Sequence, residues 1–164
     1  MRHITINYLK FLNLILITFV IFSCSRELVT IVEKTDSNGK ILKIKTVSTN
    51  AIELHQSFYL NGVLEYEAEM RDGIPDGFVK YWDDESNLIS SANYENGKLN
   101  GFSFSYFKNG NISSKTEYFY GDLHGIKETY HENGVLKSNQ VFEFGKAKTQ
   151  LLRFDILGNR IYQP

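Results

Sequence analysis

Residues 94–110 read YENGKLNGFSFSYFKNG, and each of the three glycines in this stretch recurs along the chain at a spacing of 24 residues or a multiple of 24. A fixed period of this length is typical of repeat proteins, in which every unit has the same local structure. Because glycine tolerates positive φ, we interpret these positions as structural turns. The recurring glycines are Gly73, Gly97, Gly121 and Gly145; Gly77, Gly101 and Gly125; and Gly62, Gly110, Gly134 and Gly158.

Aromatic residues follow the same period. Between the glycines, apolar and polar residues alternate over short runs such as GFSFSYF, which indicates strands separated by turns. We therefore predict an all-β fold of repeated antiparallel β-hairpins of about 24 residues, arranged as a meander or solenoid sheet. The aromatic series are Phe58, Trp82, Tyr106, Tyr130 and Phe154, and Tyr94, Tyr118 and Phe142 with Met70 at their head.

The even period makes a prediction about the two faces of the sheet. Equivalent strand residues in successive units should face the same side, so we expect the even-numbered apolar residues to share one face and the odd-numbered polar residues to form the other. The residues predicted to share the apolar face in one unit are Phe102, Phe104, Tyr106, Ile112, Thr116 and Tyr118.

Four aromatic residues break this alternation, because Tyr59, Tyr81, Phe107 and Phe119 have odd numbers. An apolar patch on the polar side is a candidate binding surface for a protein, a glycan or a lipid. The alternative is that these side chains pack against residues 25–50 or lie singly at the surface, which is common for aromatic residues.

The N-terminus has the features of an export signal. Arg2, His3 and Lys10 precede the apolar run Phe11–Phe22, which is too short to span a bilayer and is followed by the single cysteine of the chain, Cys24. Residues 21–24, IFSC, resemble the lipobox of bacterial lipoproteins. The resemblance implies cleavage after Ser23 and lipid attachment at Cys24; the alternative is a buried cysteine behind an ordinary signal peptide.

Composition limits the domain count and the class of partner. The chain has 164 residues, of which 42% are hydrophobic and 14% aromatic, enough for one domain with a core. The formal net charge of −1 gives no basic surface for nucleic acid. We predict a signal peptide at 1–23, an anchor linker with a degenerate first repeat at 24–54, and a repeat domain at 55–162.

The pattern Tyr94-x-x-Gly97-Lys98-x-x-Gly101, followed by aromatic strand residues and Asn109-Gly110, resembles the MORN-repeat variant of the YwqK-type antitoxin family. The resemblance covers about residues 55–162. It implies a β-rich repeat array whose glycine and aromatic positions are structural, a role in protein or membrane interaction, and no catalytic residue to assign.

Candidate sites for chemistry are few. His124 and His131 flank Glu128, with Asp122 nearby, but repeat drift explains these residues better than a metal site does. The glycine stretches lack the Lys-Ser or Lys-Thr and the following helix that a phosphate-binding loop needs. We therefore expect no enzyme activity, no metal and no cofactor.

Two functions follow as hypotheses. The first is a lipid-anchored module of the bacterial cell envelope, on the periplasmic or outer side of a membrane, whose repeats bind an unidentified protein. The second, which the family resemblance implies, is an antitoxin-like protein that neutralises one cognate toxin. Cys24 is the lipidation site in the first hypothesis.

Overall fold

The computed structural model describes residues 28–48 and 52–162, and in these residues it contains thirteen strands and no helix. No helix in this part of the chain is long and apolar enough to cross a membrane. The strands are β1 (Leu28–Thr35), β2 (Ile41–Ser48), β3 (Ile52–Phe58), β4 (Leu64–Arg71), β5 (Ile74–Trp82), β6 (Leu88–Glu95), β7 (Lys98–Tyr106), β8 (Ile112–Phe119), β9 (Asp122–Tyr130), β10 (Leu136–Glu143), β11 (Lys146–Ala147), β12 (Leu152–Phe154) and β13 (Arg160–Ile161).

All thirteen strands belong to one antiparallel sheet. From β1 to β10 each strand pairs with the next one in sequence; β10 then pairs with both β11 and β12, and β12 pairs with β13. The predicted all-β array of consecutive hairpins is confirmed. The boundary predicted between residues 54 and 55 falls inside β3, and β1 and β2 extend the same sheet, so much of the predicted linker is strand.

Five-residue loops connect the strands at one end of the strands, and we call this side of the sheet the long-loop edge. In the loop between β7 and β8, Phe107 N–H donates to Asn111 O at 2.8 Å, and Gly110 N–H donates to Phe107 O at 2.9 Å. Gly110 has a φ of 84°, and Ser86, at the same place in its own loop, has a φ of 71°. The same pair of hydrogen bonds closes the loops that begin at Asp36, Tyr59, Asp83, His131 and Asp155.

Two-residue turns connect the strands along the opposite edge, the short-turn edge. Both residues of each turn have positive φ, the geometry of the tightest hairpins. The turns are Asp72-Gly73, Asn96-Gly97, Tyr120-Gly121 and Phe144-Gly145.

The series of Gly77, Gly101 and Gly125 does not form turns, which corrects the prediction for these three residues. Gly77, Gly101 and Gly125 lie inside β5, β7 and β9, where the register shifts by a β-bulge. Their φ values are positive, and each glycine lies opposite an aromatic residue in the next strand, as Gly101 does opposite Tyr118. The space beside Gly77 and Gly125 is filled by the side chains of Glu69 and Glu117 from the preceding strand.

Hydrogen bonds along the long-loop edge join each loop to the next. Asn109 Nδ2 donates to Glu132 O at 3.0 Å, while its Oδ1 accepts from Asn111 N–H within its own loop at 2.9 Å. Asn61 and Asn133 make the equivalent pairs. The asparagine of the Asn-Gly motif therefore connects successive repeats, a role beyond the turn chemistry that its sequence suggests.

The face prediction is wrong within each repeat. Phe102 and Phe104 of β7 pair with Glu117 and Lys115 of β8, so even-numbered residues of β7 share a face with odd-numbered residues of β8. A β-bulge beside the five-residue loop, between Ile112 and Ser114, adds one residue and reverses the parity.

The two faces therefore have different compositions from those predicted. We call the face that carries Tyr66, Tyr81, Tyr94 and Tyr118 the tyrosine face. The other, which we call the charged face, carries the cross-strand row Glu67, Lys80, Ser91, Phe104, Lys115 and Glu128.

The most buried residues of the repeats lie in the middle of the tyrosine face. Ala68 is 0% exposed, and Val79 and Thr116 are also buried, while most other strand residues are half-buried. Ala68 pairs with Val79, which pairs with Ala92. Small side chains at this row let the longer tyrosines beside it cover the sheet, so a single layer still buries a row of residues.

Candidate functional site

The structure separates the four aromatic residues that were predicted to form one binding surface. Tyr59 and Phe107 lie in loops of the long-loop edge, and Tyr59 Oη donates to Trp82 O at 2.8 Å. Tyr81 lies on the tyrosine face, and Phe119 ends β8 at the short-turn edge. The odd numbers do not place the four aromatic residues together, because a bulge in each repeat exchanges the faces of odd-numbered and even-numbered residues. Residues 28–48, part of the segment considered as a packing partner for these side chains, form strands of the same sheet.

An exposed aromatic cluster does form around Phe119. We define the turn-tip cluster as Phe119, Tyr120, His124 and Phe144. Phe119 packs edge-on against Tyr120 with ring centroids 4.9 Å apart, and its centroid is 6.3 Å from that of Phe144. His124 lies between them, 5.7 Å from Phe119 and 4.9 Å from Phe144. Phe144 is 56% exposed, and Phe119 and Tyr120 are also exposed.

Two members of the turn-tip cluster occupy strained backbone positions. Tyr120 has a φ of 48° and Phe144 a φ of 46°, as the first residues of two-residue turns. Asp72 and Asn96 fill the same position in the other two turns, and these residue types tolerate a left-handed backbone. A bulky side chain at such a position costs about 1–3 kcal/mol. The fold does not require an aromatic residue there, because Asp72 and Asn96 fill the same position in their own turns.

Polar contacts fix the cluster to its neighbours. Tyr120 Oη donates to Glu95 Oε1 at 3.2 Å, and Tyr120 N–H donates to Asn100 Oδ1 at 3.3 Å. The hydrogen bond to Glu95, and then the charge of Glu95, raise the pKa of Tyr120. His124 Nδ1 is buried and makes no hydrogen bond to the described residues, and the His124 ring packs against Phe119 and Phe144.

The residues considered for metal binding have separate partners. Glu128 accepts from Tyr130 Oη at 2.8 Å and from Asn139 Nδ2 at 3.0 Å, and His131 Nε2 lies 3.0 Å from Phe154 O. Within residues 28–48 and 52–162, no group of three His, Cys, Asp or Glu residues is arranged to hold a metal ion. Cys24 lies outside the described residues.

The tyrosine face is the second candidate surface. Of the residues on this face, the sequence pattern predicted only Tyr81 as a binding residue. Tyr81 is 45% exposed and packs on Tyr66 with ring centroids 5.0 Å apart. Burial raises the pKa of both Tyr66 and Tyr94, and the neighbouring Tyr81 contributes to each shift. The Tyr66 and Tyr94 rings are partly withdrawn from water and lie near Tyr81, which is the physical cause of both shifts.

Tyr130 makes a prediction about pH. Burial first, and then the hydrogen bond and charge of Glu128, raise the pKa of Tyr130 from 10.0 to about 12. Because the folded pKa lies above the unfolded one, this stabilisation is present below pH 10 and is lost as the pH rises towards 12. Urea unfolding between pH 8 and about 11.5 should show a steeper loss of stability for the wild type than for Tyr130→Phe. Equal slopes for the two proteins would contradict the assignment.

Comparison with known proteins identifies the repeat. Residues 123–143 match a family model described as a MORN repeat variant. No curated protein matches the sequence. The matched segment covers nearly all of the β9–β10 hairpin, and the β5–β6 and β7–β8 hairpins have the same register at 24-residue spacing. The chain thus contains a MORN repeat of the variant type, and the repeating unit is one hairpin.

Proposed function

We propose that this protein is a lipid-anchored, non-catalytic module of the bacterial cell envelope that binds a protein partner through the turn-tip cluster. The observation that carries the proposal is the presence of two exposed aromatic residues, Tyr120 and Phe144, at positive φ. Strained residues at an exposed site are typical of functional surfaces, and aromatic side chains supply much of the binding energy at protein interfaces.

The geometry of the turn-tip cluster suits a protein partner. Phe119, Tyr120 and Phe144 present rings from two adjacent turns, already packed against one another and against His124. Pre-packed rings lose little conformational entropy on binding. Glu95 and Asn100 provide polar groups beside the rings, which is the arrangement of an apolar centre with a polar rim.

The N-terminal sequence supports the anchored location. Three residues separate Cys24 from the start of β1 at Leu28. A lipid at Cys24 would therefore hold the β1 end of the sheet beside the membrane. The turn-tip cluster begins at the end of β8, seven strands away, which at about 4.8 Å per strand is roughly 34 Å along the sheet. The array then carries the cluster away from the bilayer.

Replacing the two strained aromatic residues with asparagine separates binding from folding. In Tyr120→Asn/Phe144→Asn, both turns acquire the residue type that Asn96 already has. The relieved backbone strain and the lost ring contacts oppose each other, so we expect stability within about 1 kcal/mol of the wild type. Loss of the two rings should weaken partner binding by about 30-fold or more. Partner recovery from crosslinked membranes, measured beside urea unfolding, checks both expectations.

The matched control is Asp72→Asn, which changes the same turn position in a hairpin without the cluster. It should leave partner recovery unchanged. Equal recovery of the partner by the double asparagine variant and by the wild type would refute the assignment of the turn-tip cluster.

Neutralisation of a toxin is one form that such binding can take, and the resemblance to the YwqK-type antitoxins suggests it. If the partner is a cognate toxin, co-expression with the wild type should rescue growth, and co-expression with Tyr120→Asn/Phe144→Asn should not. Failure of the wild type to rescue growth with any neighbouring gene would remove the toxin from the proposal.

A further inference from the structure

The tyrosine face carries a row of hydroxyl groups that crosses five consecutive strands. Ser90 of β6 pairs with Ser105 of β7, and Ser105 pairs with Ser114 of β8. The row continues through Thr129 of β9 to Ser138 of β10. Neighbouring strands lie about 4.8 Å apart, so the row presents one hydroxyl at each step of about that length.

Most of these hydroxyls are free to bind a ligand. Thr129 and Ser138 hydrogen-bond to each other at 2.6 Å, which shows that neighbouring members of the row lie within reach of one bridging group. The hydroxyls of Ser90, Ser105 and Ser114 make no hydrogen bond to the described residues, and none of the three is closed off from solvent. A ligand can therefore form these bonds without breaking existing ones.

Aromatic rings extend and flank the hydroxyl row. Tyr81 pairs with Ser90 and so continues the row, with its ring resting on Tyr66. Tyr94 and Tyr118 lie on the same face, opposite Gly77 and Gly101. Rings with an apolar surface and a polar edge can stack on the C–H groups of a sugar while their hydroxyls bond to its oxygens.

Between β4 and β10, charge distinguishes this face from the opposite one; on β3 and β2 the same rows carry His55, Lys45 and Lys43. In the two central rows of the tyrosine face between β4 and β10, Lys127 is the charged residue among fourteen, whereas the charged face carries Glu67, Lys80, Lys115 and Glu128 in a single row. An uncharged surface does not repel or select by charge, so it matches a neutral ligand. The two rows are Tyr66, Tyr81, Ser90, Ser105, Ser114, Thr129 and Ser138, and Ala68, Val79, Ala92, Ser103, Thr116, Lys127 and Gln140.

We propose that the tyrosine face binds a neutral polysaccharide chain, with sugar rings stacked on Tyr81 and their hydroxyls bonded along the serine row. A row that offers the same group at every strand is best used by a ligand that also repeats. A polysaccharide presents one set of hydroxyls per sugar, at a spacing comparable to that between strands. The ligand is bound, and no covalent step takes place.

Calorimetric titration of the full chain, in a detergent without a sugar headgroup, tests this proposal. The probes are chitohexaose, cellohexaose and maltohexaose. We expect at least one of them to bind, and Tyr81→Ala to lower its affinity by about tenfold or more, equal to about 1.4 kcal/mol. Ser105→Val, which removes one hydroxyl from the centre of the row and keeps a strand-forming residue, should also lower affinity.

Lys80→Ala is the matched control, because Lys80 precedes Tyr81 in β5 and lies on the charged face. It should change affinity less than about twofold, a difference of about 0.4 kcal/mol. Thermal melting of each variant shows whether it remains folded. Three results would overturn the proposal: no binding to any of the three sugars, equal affinity of the wild type and Ser105→Val, or tighter binding of a heparin oligosaccharide. A face that binds a protein instead would bind none of the three sugars.

Discussion

Gly77→Ala is expected to destabilise the protein more than an alanine substitution at any turn glycine with open space around it. Gly77 has a φ of 133°, and a Cβ built there would collide with Glu69 Oε2 and lie 2.8 Å from Glu69 Cβ. Glu69 Oε2 accepts the N–H of Phe78 at 3.1 Å, so moving the carboxylate also breaks this bond. Backbone strain, overpacking and the lost bond together should cost about 3–6 kcal/mol.

Two other glycines provide graded controls. At Gly125, a Cβ would meet the carboxylate of Glu117, which can rotate away at the loss of its bond to Ile126 N–H. At Gly134, with a φ of 84°, a Cβ would meet nothing within 4 Å, so only the strain of about 1–2 kcal/mol remains. Urea unfolding should therefore rank the losses as Gly77→Ala, then Gly125→Ala, then Gly134→Ala. Equal losses at Gly77 and Gly134 would show that the contact with Glu69 has no effect.

Cys24→Ser is expected to abolish lipid attachment completely. Several acyl chains, each methylene of which contributes about 0.8 kcal/mol when buried, anchor a protein firmly, and serine cannot carry the thioether-linked lipid. Labelled palmitate should enter the wild type and not Cys24→Ser.

Ser25→Ala is the matched control for this substitution, because it changes the neighbouring residue and keeps the acceptor thiol. It should incorporate palmitate as the wild type does. Absence of label in the wild type would exclude the lipid anchor, and it would leave the proposed partner surface to be tested separately.

The repeat and the hairpins were predictable because connections between strands need positive φ, which favours glycine at regularly spaced positions. Gly97 and Gly110 mark two kinds of connection, and their 24-residue copies mark the rest. Gly101 looks the same in sequence, yet it lies inside β7 at a bulge. A glycine with positive φ serves a turn and a bulge equally well, so spacing alone does not distinguish them.

The faces were not predictable from parity. One extra residue between Ile112 and Ser114 exchanges the faces of β8 relative to β7, and the sequence carries no separate mark for it. Residues 24 apart in equivalent strands do share a face, as Tyr94 and Tyr118 do, because the same bulges recur in each repeat. The 24-residue period therefore predicts correctly which residues of different repeats share a face, whereas odd or even numbering does not predict this within one repeat.

The candidate site was found only in part. Phe119 was identified by its break in the alternation, and it does belong to the turn-tip cluster. Tyr120 and Phe144 are not among the residues predicted from the sequence, although both precede a turn glycine at the position of Asp72 and Asn96. Comparison of the repeats within the chain can detect such a signal: an aromatic residue at a position where the other repeats have Asp or Asn.

The most direct test of the account is a photo-crosslinking amino acid placed at position 144 in the full chain, with position 72 as the matched control. Both positions are the first residue of a two-residue turn at the short-turn edge, and only position 144 lies in the turn-tip cluster. We predict a single crosslinked protein of discrete size from position 144 in intact cells and none from position 72. The same products from both positions, or no product from position 144, would contradict the central claim that the turn-tip cluster is the partner-binding surface.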